Sequence, residues 1–245
     1  MKGATILLTD DKLTAYIENF WGYGDLSAPI WFVGMEEGGE TDETSFNAML
    51  NNWEKAGRPQ VVDIHPTENA EDNRWFNTDN PPIQRTWGKL IRAVLQANCD
   101  KVSNDTIRSY QRHRLGRPSG ETCLLELMPL PAPATKNWPY RDLSNLAILE
   151  SRRAYMDGIC PNRIYSLRNI IKEWRPKIVV FYSASYLNFW KEVVGYEKVW
   201  MEFDGWKRLK DDETHFYCIK HPTSHGATNA LYDELGCDMR RVLLG

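Results

Sequence analysis

The chain has 245 residues, 42% of them hydrophobic and 26% charged, with a net charge of −3. That length buries a core without disulfide or metal staples, in one large domain or two small ones. No apolar run approaches the roughly 18 residues of a membrane span, and the apolar stretch near Met1 is too short for a signal peptide. The five cysteines, at 99, 123, 160, 218 and 237, contain no C-x-x-C pair. That spacing indicates neither a disulfide framework nor a zinc ribbon, so a reduced, cytoplasmic protein with no membrane partner is expected.

Taken in chain order, the hydrophobic pattern predicts alternating helices and strands. A helix is expected over 11–20, with Leu13, Tyr16, Ile17 and Phe20 on one face. A short buried strand covers 29–33 and is ended by Gly34. A helix follows at about 43–56, with Thr41 or Asp42 as its cap, and a short strand at 60–64. The helix 85–97 places Trp87, Leu90, Ile91, Val94 and Leu95 together. A strand at 121–127 runs into a proline-rich loop. A helix at about 162–174 leads through Arg175-Pro176 into a strand at 177–182. Then come a helix at 184–194, a strand at 215–219, a His-Pro loop and a last helix at about 227–243. Such alternation, with strands apolar on both faces, predicts an α/β fold with a mainly parallel sheet covered by helices. Ligands of such sheets bind beyond the carboxyl ends of the strands. Three of those ends stand out, at Gly34, Glu126 and His221.

Charge is unevenly spread. Residues 1–60 carry a net −6, whereas residues 84–120 carry +6 from Arg85, Lys89, Arg92, Lys101 and four further arginines. A basic stretch of this kind is either a phosphate footprint or a solvated helical face. The ten tryptophans are chiefly core material, although aromatic rings also stack on bases.

The first strand end reads Gly34-Met35-Glu36-Glu37-Gly38-Gly39. Its glycines allow positive φ and close backbone approach, so that successive N–H groups point at a bound anion or carbonyl. Its two carboxylates can orient a water or stabilise a cation; a sharp turn with solvated acids is the plainer alternative. The last strand end reads Cys218-Ile219-Lys220-His221-Pro222-Thr223-Ser224-His225-Gly226. Pro222 restrains the chain beside His221, whose imidazole can donate to a developing oxyanion. His221 and His225 lack a third ligand nearby in sequence, so no metal site is expected.

Five segments in order, IWFVGMEEGG (30–39), PPIQRTWGKLIRAVL (81–95), LLELMPLPAP (124–133), RPKIVVFYSASYLNFW (175–190) and CIKHPTSHGATNALYDELG (218–236), resemble the uracil-DNA glycosylase superfamily. The resemblance spans most of the chain and implies a single domain, three-layered α/β/α, with a central, mainly parallel four-stranded sheet. It implies that Glu36, third in the first motif, positions the attacking water and that His221 donates to O2 of the departing base. Backbone N–H groups around Gly34, Met35, Glu36 and Glu37 would contact that base. Arg85, Lys89, Ser224 and His225 would lie along the DNA backbone.

The departures matter as well. The close cysteine pair that helps hold an iron–sulfur cluster in some members is missing, so no cofactor is expected. The position of the family's base-stacking phenylalanine falls on Ile83, with Trp75 or Phe76 as substitutes. Glu126 stands where the family often has asparagine. An ionised glutamate accepts hydrogen bonds but cannot donate to uracil O4. Unless protonated, it suits two donors, as on guanine, or a cytosine amino group.

Three functions follow as expectations. The first is an N-glycosidic hydrolase acting on a uracil or other modified base of single- or double-stranded DNA, flipped out of any duplex for chemistry. The second is a catalytically silent module binding nucleic acid or a nucleobase-containing small ligand, favoured by the acidic first 60 residues. The third is an enzyme of free nucleosides or nucleotides. Fold alone does not choose among them.

Overall fold

The computed structural model describes residues 9–39, 43–65, 73–76, 78, 80–132 and 138–245. The proposed caps Thr41 and Asp42 lie outside the described residues. The chain runs through α1 (Asp10–Asn19), β1 (Gly22–Tyr23), β2 (Ile30–Glu36), α2 (Glu43–Lys55) and β3 (Val61–Val62). It continues with α3 (Arg85–Ala97), α4 (Asn104–His113), β4 (Thr122–Met128), α5 (Tyr140–Leu143) and α6 (Arg152–Trp174). The last third contains β5 (Ile178–Phe181), α7 (Leu187–Val194), β6 (Met201–Phe203), β7 (Trp206–Asp211), β8 (Thr214–Ile219) and α8 (Asn229–Leu244).

The fold is α/β, but among the described residues its sheet has eight strands, in the order β3-β1-β4-β2-β5-β8-β7-β6, rather than four. The expected strands form the parallel centre β4-β2-β5-β8. β1 joins β4 antiparallel and carries β3, while β7 and β6 extend the other end antiparallel from β8. β3 falls within the short strand expected at 60–64, whereas β1, β6 and β7 escape the hydrophobic pattern. β1 is two residues long, and the β6–β7 hairpin mixes charged with apolar residues on an edge that faces water.

Alternation along the strands sends side chains to two cores. Trp31 and Val33 of β2 pack with α1, α2, α6 and α7. Ile30 and Phe32 pack with α3, α4 and α8 on the opposite face. Helices therefore cover both sides of the sheet.

Two boundaries move for local reasons. β2 does not stop at Gly34 but runs to Glu36, because Gly34 and Glu36 pair with Glu126 and Met128 of β4. α6 begins ten residues before the expected 162, capped by Ser151, whose Oγ accepts from the Ala154 N–H at 3.1 Å. Pro161 is accommodated within this helix instead of marking a break. The helix ends at Arg175, which adopts a left-handed φ of 48° before Pro176 prevents continuation.

Candidate active site at the strand ends

In chain order the four central parallel strands are β2, β4, β5 and β8, arranged β4-β2-β5-β8. The chain first steps from β2 to β4 on one side and then places β5 on the other. The crevice beyond the carboxyl ends of β2 and β5 is thus a topological switch point, the usual ligand position in such sheets. Glu36 ends β2, Glu126 lies near the end of β4, Tyr182 follows β5 and His221 follows β8. β2 and β8 are separated by one strand, so their ends stand about 10 Å apart.

Gly34 is extended, and neither it nor Gly38 has the positive φ expected of this turn. Its importance is steric. Gly34 is paired with Glu126 across the sheet, and a Cβ at Gly34 would overlap Glu126 Oε2 and Tyr182 Oη. Gly34→Ala is therefore expected to displace that pair and cost about 1–3 kcal/mol in a urea melt.

Tyr182 Oη donates to Glu126 Oε1 at 2.5 Å, while Glu126 Oε2 is closed from solvent with no hydrogen-bond partner. Burial pushes the Glu126 carboxyl up to about 8; the Tyr182 bond lowers it, but Glu37 and Glu36 add repulsion. Glu126 therefore favours its protonated form at neutral pH. It can both donate and accept, which removes the objection that an ionised glutamate raises against uracil. Beneath it, the buried Arg163 donates to the carbonyls of Leu127 at 2.8 Å and Glu126 at 3.0 Å and lies over the Trp21 ring. Burial lowers this guanidinium to about 9, leaving it charged at neutral pH.

The last β2–β5 pair is Val33 with Phe181, and the Tyr182 N–H bonds to the Val33 carbonyl at 3.1 Å. Backbone directions alternate along a strand, so the peptide groups of Met35 are aimed towards the β5 side, at the crevice. The Met35 side chain is buried in the core on the other face. Glu37 accepts from Tyr23 Oη at 2.7 Å, and its carbonyl accepts from the Ala132 N–H at 2.8 Å.

Glu36 is bound by Arg152, the first residue of α6, with Nη2 at 2.6 Å from Oε1. Sequence patterning contained no sign of this pair, whose members are 116 positions apart. His221 has its ring 5.9 Å from that of Tyr182. Its Nδ1 lies 3.3 Å from the Thr223 backbone N–H and 3.0 Å from Thr223 Oγ1. A backbone N–H only donates, so Nδ1 is the acceptor and the proton of the neutral ring sits on Nε2. Burial lowers the pKa of His221, which favours this neutral form.

The remaining proposed residues fall into two groups. Arg85, Lys89 and Ile83 line a cleft of about 390 Å³ that also includes Pro222, Thr223 and Ser224. Lys89 Nζ donates to the Ala227 carbonyl, tying α3 to the loop before α8. Burial, and then the neighbouring Arg85, lower the Lys89 pKa. Ser224 Oγ bonds to the His221 carbonyl at 2.7 Å, closing the turn, while His225 is exposed. Phe76, in contrast, is 2% exposed and packs against the rings of Trp87 and His65 in the core. The buried Gln111 organises this segment, bonding the Gln84 N–H and the carbonyls of Trp75 and Pro82.

Much of the basic stretch is internally neutralised. Arg92 pairs with Asp233, Arg108 with Asp105, Arg114 with Glu121 and Asp100, and Arg117 with Asp63. Arg85 and Lys89 are the members that face the cleft without a carboxylate among the described residues. The five cysteines are free thiols. Among the described residues no group of three His, Cys, Asp or Glu side chains is placed to hold a metal ion, and no helix is long and apolar enough to cross a membrane. Comparison of the chain with protein-family models and with curated proteins gives no match.

Proposed function

We propose that this chain is an N-glycosidic hydrolase of the uracil-DNA glycosylase type, acting on a base that presents one hydrogen-bond donor beside one acceptor. What supports this reading is the placement of Glu36, Glu126 and His221 at or just beyond the carboxyl ends of β2, β4 and β8, with Tyr182 bonded to Glu126 and its ring 5.9 Å from that of His221. In this reading Glu36 accepts a proton from a water whose oxygen bonds to the anomeric carbon. The glycosidic bond breaks, and its electron pair leaves with the base. His221 Nε2–H and the Met35 N–H stabilise the charge that builds on that base. In its protonated form Glu126 offers one donor and one acceptor, the pattern that matches the N3–H and O4 edge of uracil or the N1–H and O6 edge of hypoxanthine. The cleft with Arg85 and Lys89 supplies a place for phosphate.

The test is base release from single- and double-stranded oligonucleotides carrying uracil, hypoxanthine, xanthine or an alkylated base. Wild type is expected to release at least one base, with uracil and hypoxanthine favoured, and Glu36→Gln to release none at a comparable rate. A silent binding module is the second reading, favoured by the ion pair that occupies Glu36. It would be shown by salt-sensitive binding of the same oligonucleotides with no release of any base.

A further inference from the structure

Arg152 occupies a costly position. It opens α6, whose first turn contains no acid, so its charge sits at the positive end of the helix dipole. It is also largely removed from water, with only 16% of its side chain exposed against 11% for Glu36. Burial works against the guanidinium charge, and the bond and charge of Glu36 outweigh it. Helix stability thus gives no reason for an arginine here; the contact with Glu36 does.

That contact is incomplete. A guanidinium and a carboxylate can meet through two parallel hydrogen bonds. Here one bond is made, at 2.6 Å, while Glu36 Oε2 and Arg152 Nη1 are both closed from solvent without a partner. An acceptor and a donor left over on a buried ion pair are the groups that a bound molecule would satisfy.

We infer that Arg152 is a positioning residue for Glu36: it holds one carboxylate oxygen so that the other, Oε2, binds the water used in hydrolysis, while Arg152 Nη1 donates to that water or to a ligand oxygen beside it. This inference rests on the hydrolytic reading above and adds to it the residue that fixes the general base. Arg152 itself transfers no proton. Its contribution is to restrict Glu36 to one rotamer and to keep the water on the side of the crevice.

The experiment compares wild type, Arg152→Gln and Arg152→Lys in base release from the best oligonucleotide substrate, with and without guanidinium at a sub-denaturing concentration. Binding of an uncleavable 2′-fluoro analogue and thermal melting are measured in parallel. Loss of positioning is expected to lower kcat about 10²-fold in Arg152→Gln with KM little changed. Added guanidinium should recover about tenfold, and Arg152→Lys should keep an intermediate rate because it retains the ion pair but not the second donor. An Arg152→Gln variant as fast as wild type overturns the inference. So does a loss that guanidinium leaves unchanged and that is matched by equal losses of analogue binding and melting temperature. Failure of wild type to release any base overturns the hydrolytic reading itself, a result distinct from an active wild type indifferent to Arg152.

Discussion

Between about pH 5 and pH 8 the folding stability contributed by Glu126 is expected to fall, by as much as about 4 kcal/mol. In the unfolded chain this carboxyl ionises near pH 4.3, but in the fold burial holds its proton up to about 8. Across that window the unfolded state binds fewer protons, so rising pH favours unfolding; above about pH 8 both states are ionised and the loss is complete. His215 and His221, whose pKa values are lowered by burial, act in the opposite direction as pH rises through about 6.5. The difference between wild type and Glu126→Gln isolates the glutamate. Urea denaturation at pH 5 and pH 8 should show the wild type losing stability relative to the variant as pH rises. A constant difference between the two proteins would mean that Glu126 is ionised in the fold at neutral pH. It would also remove the donor on which the proposed reading of uracil depends.

His221→Ala is expected to lower the rate of base release on the order of 10² to 10³-fold, the usual consequence of removing one preorganised donor to a developing negative charge. The loss should appear in kcat, because the donor strengthens as charge accumulates on the departing base. The neutral ring with its proton on Nε2 gives the result a further signature. Because Thr223 fixes Nδ1 as an acceptor and burial disfavours the imidazolium, the donor is present on both sides of neutrality. The rate should therefore not require His221 to be protonated, and no loss should track the ordinary histidine titration near pH 6.5. Thr223→Val removes the hydroxyl but retains the backbone donor, so it should cost less than His221→Ala. Single-turnover rates between pH 6 and pH 8 make the comparison.

Sequence and structure agree where the cause is local. Helix α3 appears over the expected 85–97, since its apolar face lies within that segment and its cap, Gln84, immediately precedes it. Of the three strand ends expected at Gly34, Glu126 and His221, the last matches, because the apolar run of β8 gives way to Lys220 and His221; β2 and β4 run two residues past Gly34 and Glu126, to Glu36 and Met128. What could not be read arises from partners distant in sequence. Gly34 resembles a turn glycine until Glu126 is paired opposite it, after which it is a space left for a carboxyl and a phenol. Tyr182 looks like the last residue of a buried strand, although its hydroxyl holds Glu126. Arg152 lies ahead of the helix expected at 162–174, and its partner Glu36 is on β2. The excess of positive charge in residues 84–120 reads as either a phosphate footprint or a solvated helical face. In the fold most of these arginines meet acids, leaving a small cleft with Arg85 and Lys89.

Identification of the products formed from a uracil-containing single strand tests the central claim most directly. Mass spectrometry of the wild-type reaction should find free uracil and an oligonucleotide with one abasic site, and Glu36→Gln should yield neither at a comparable rate. An intact oligonucleotide after prolonged incubation with wild type, repeated with hypoxanthine, xanthine and alkylated bases in single and double strands, would contradict hydrolysis at this site. Retained, salt-sensitive binding in that case would identify the crevice as a binding site alone.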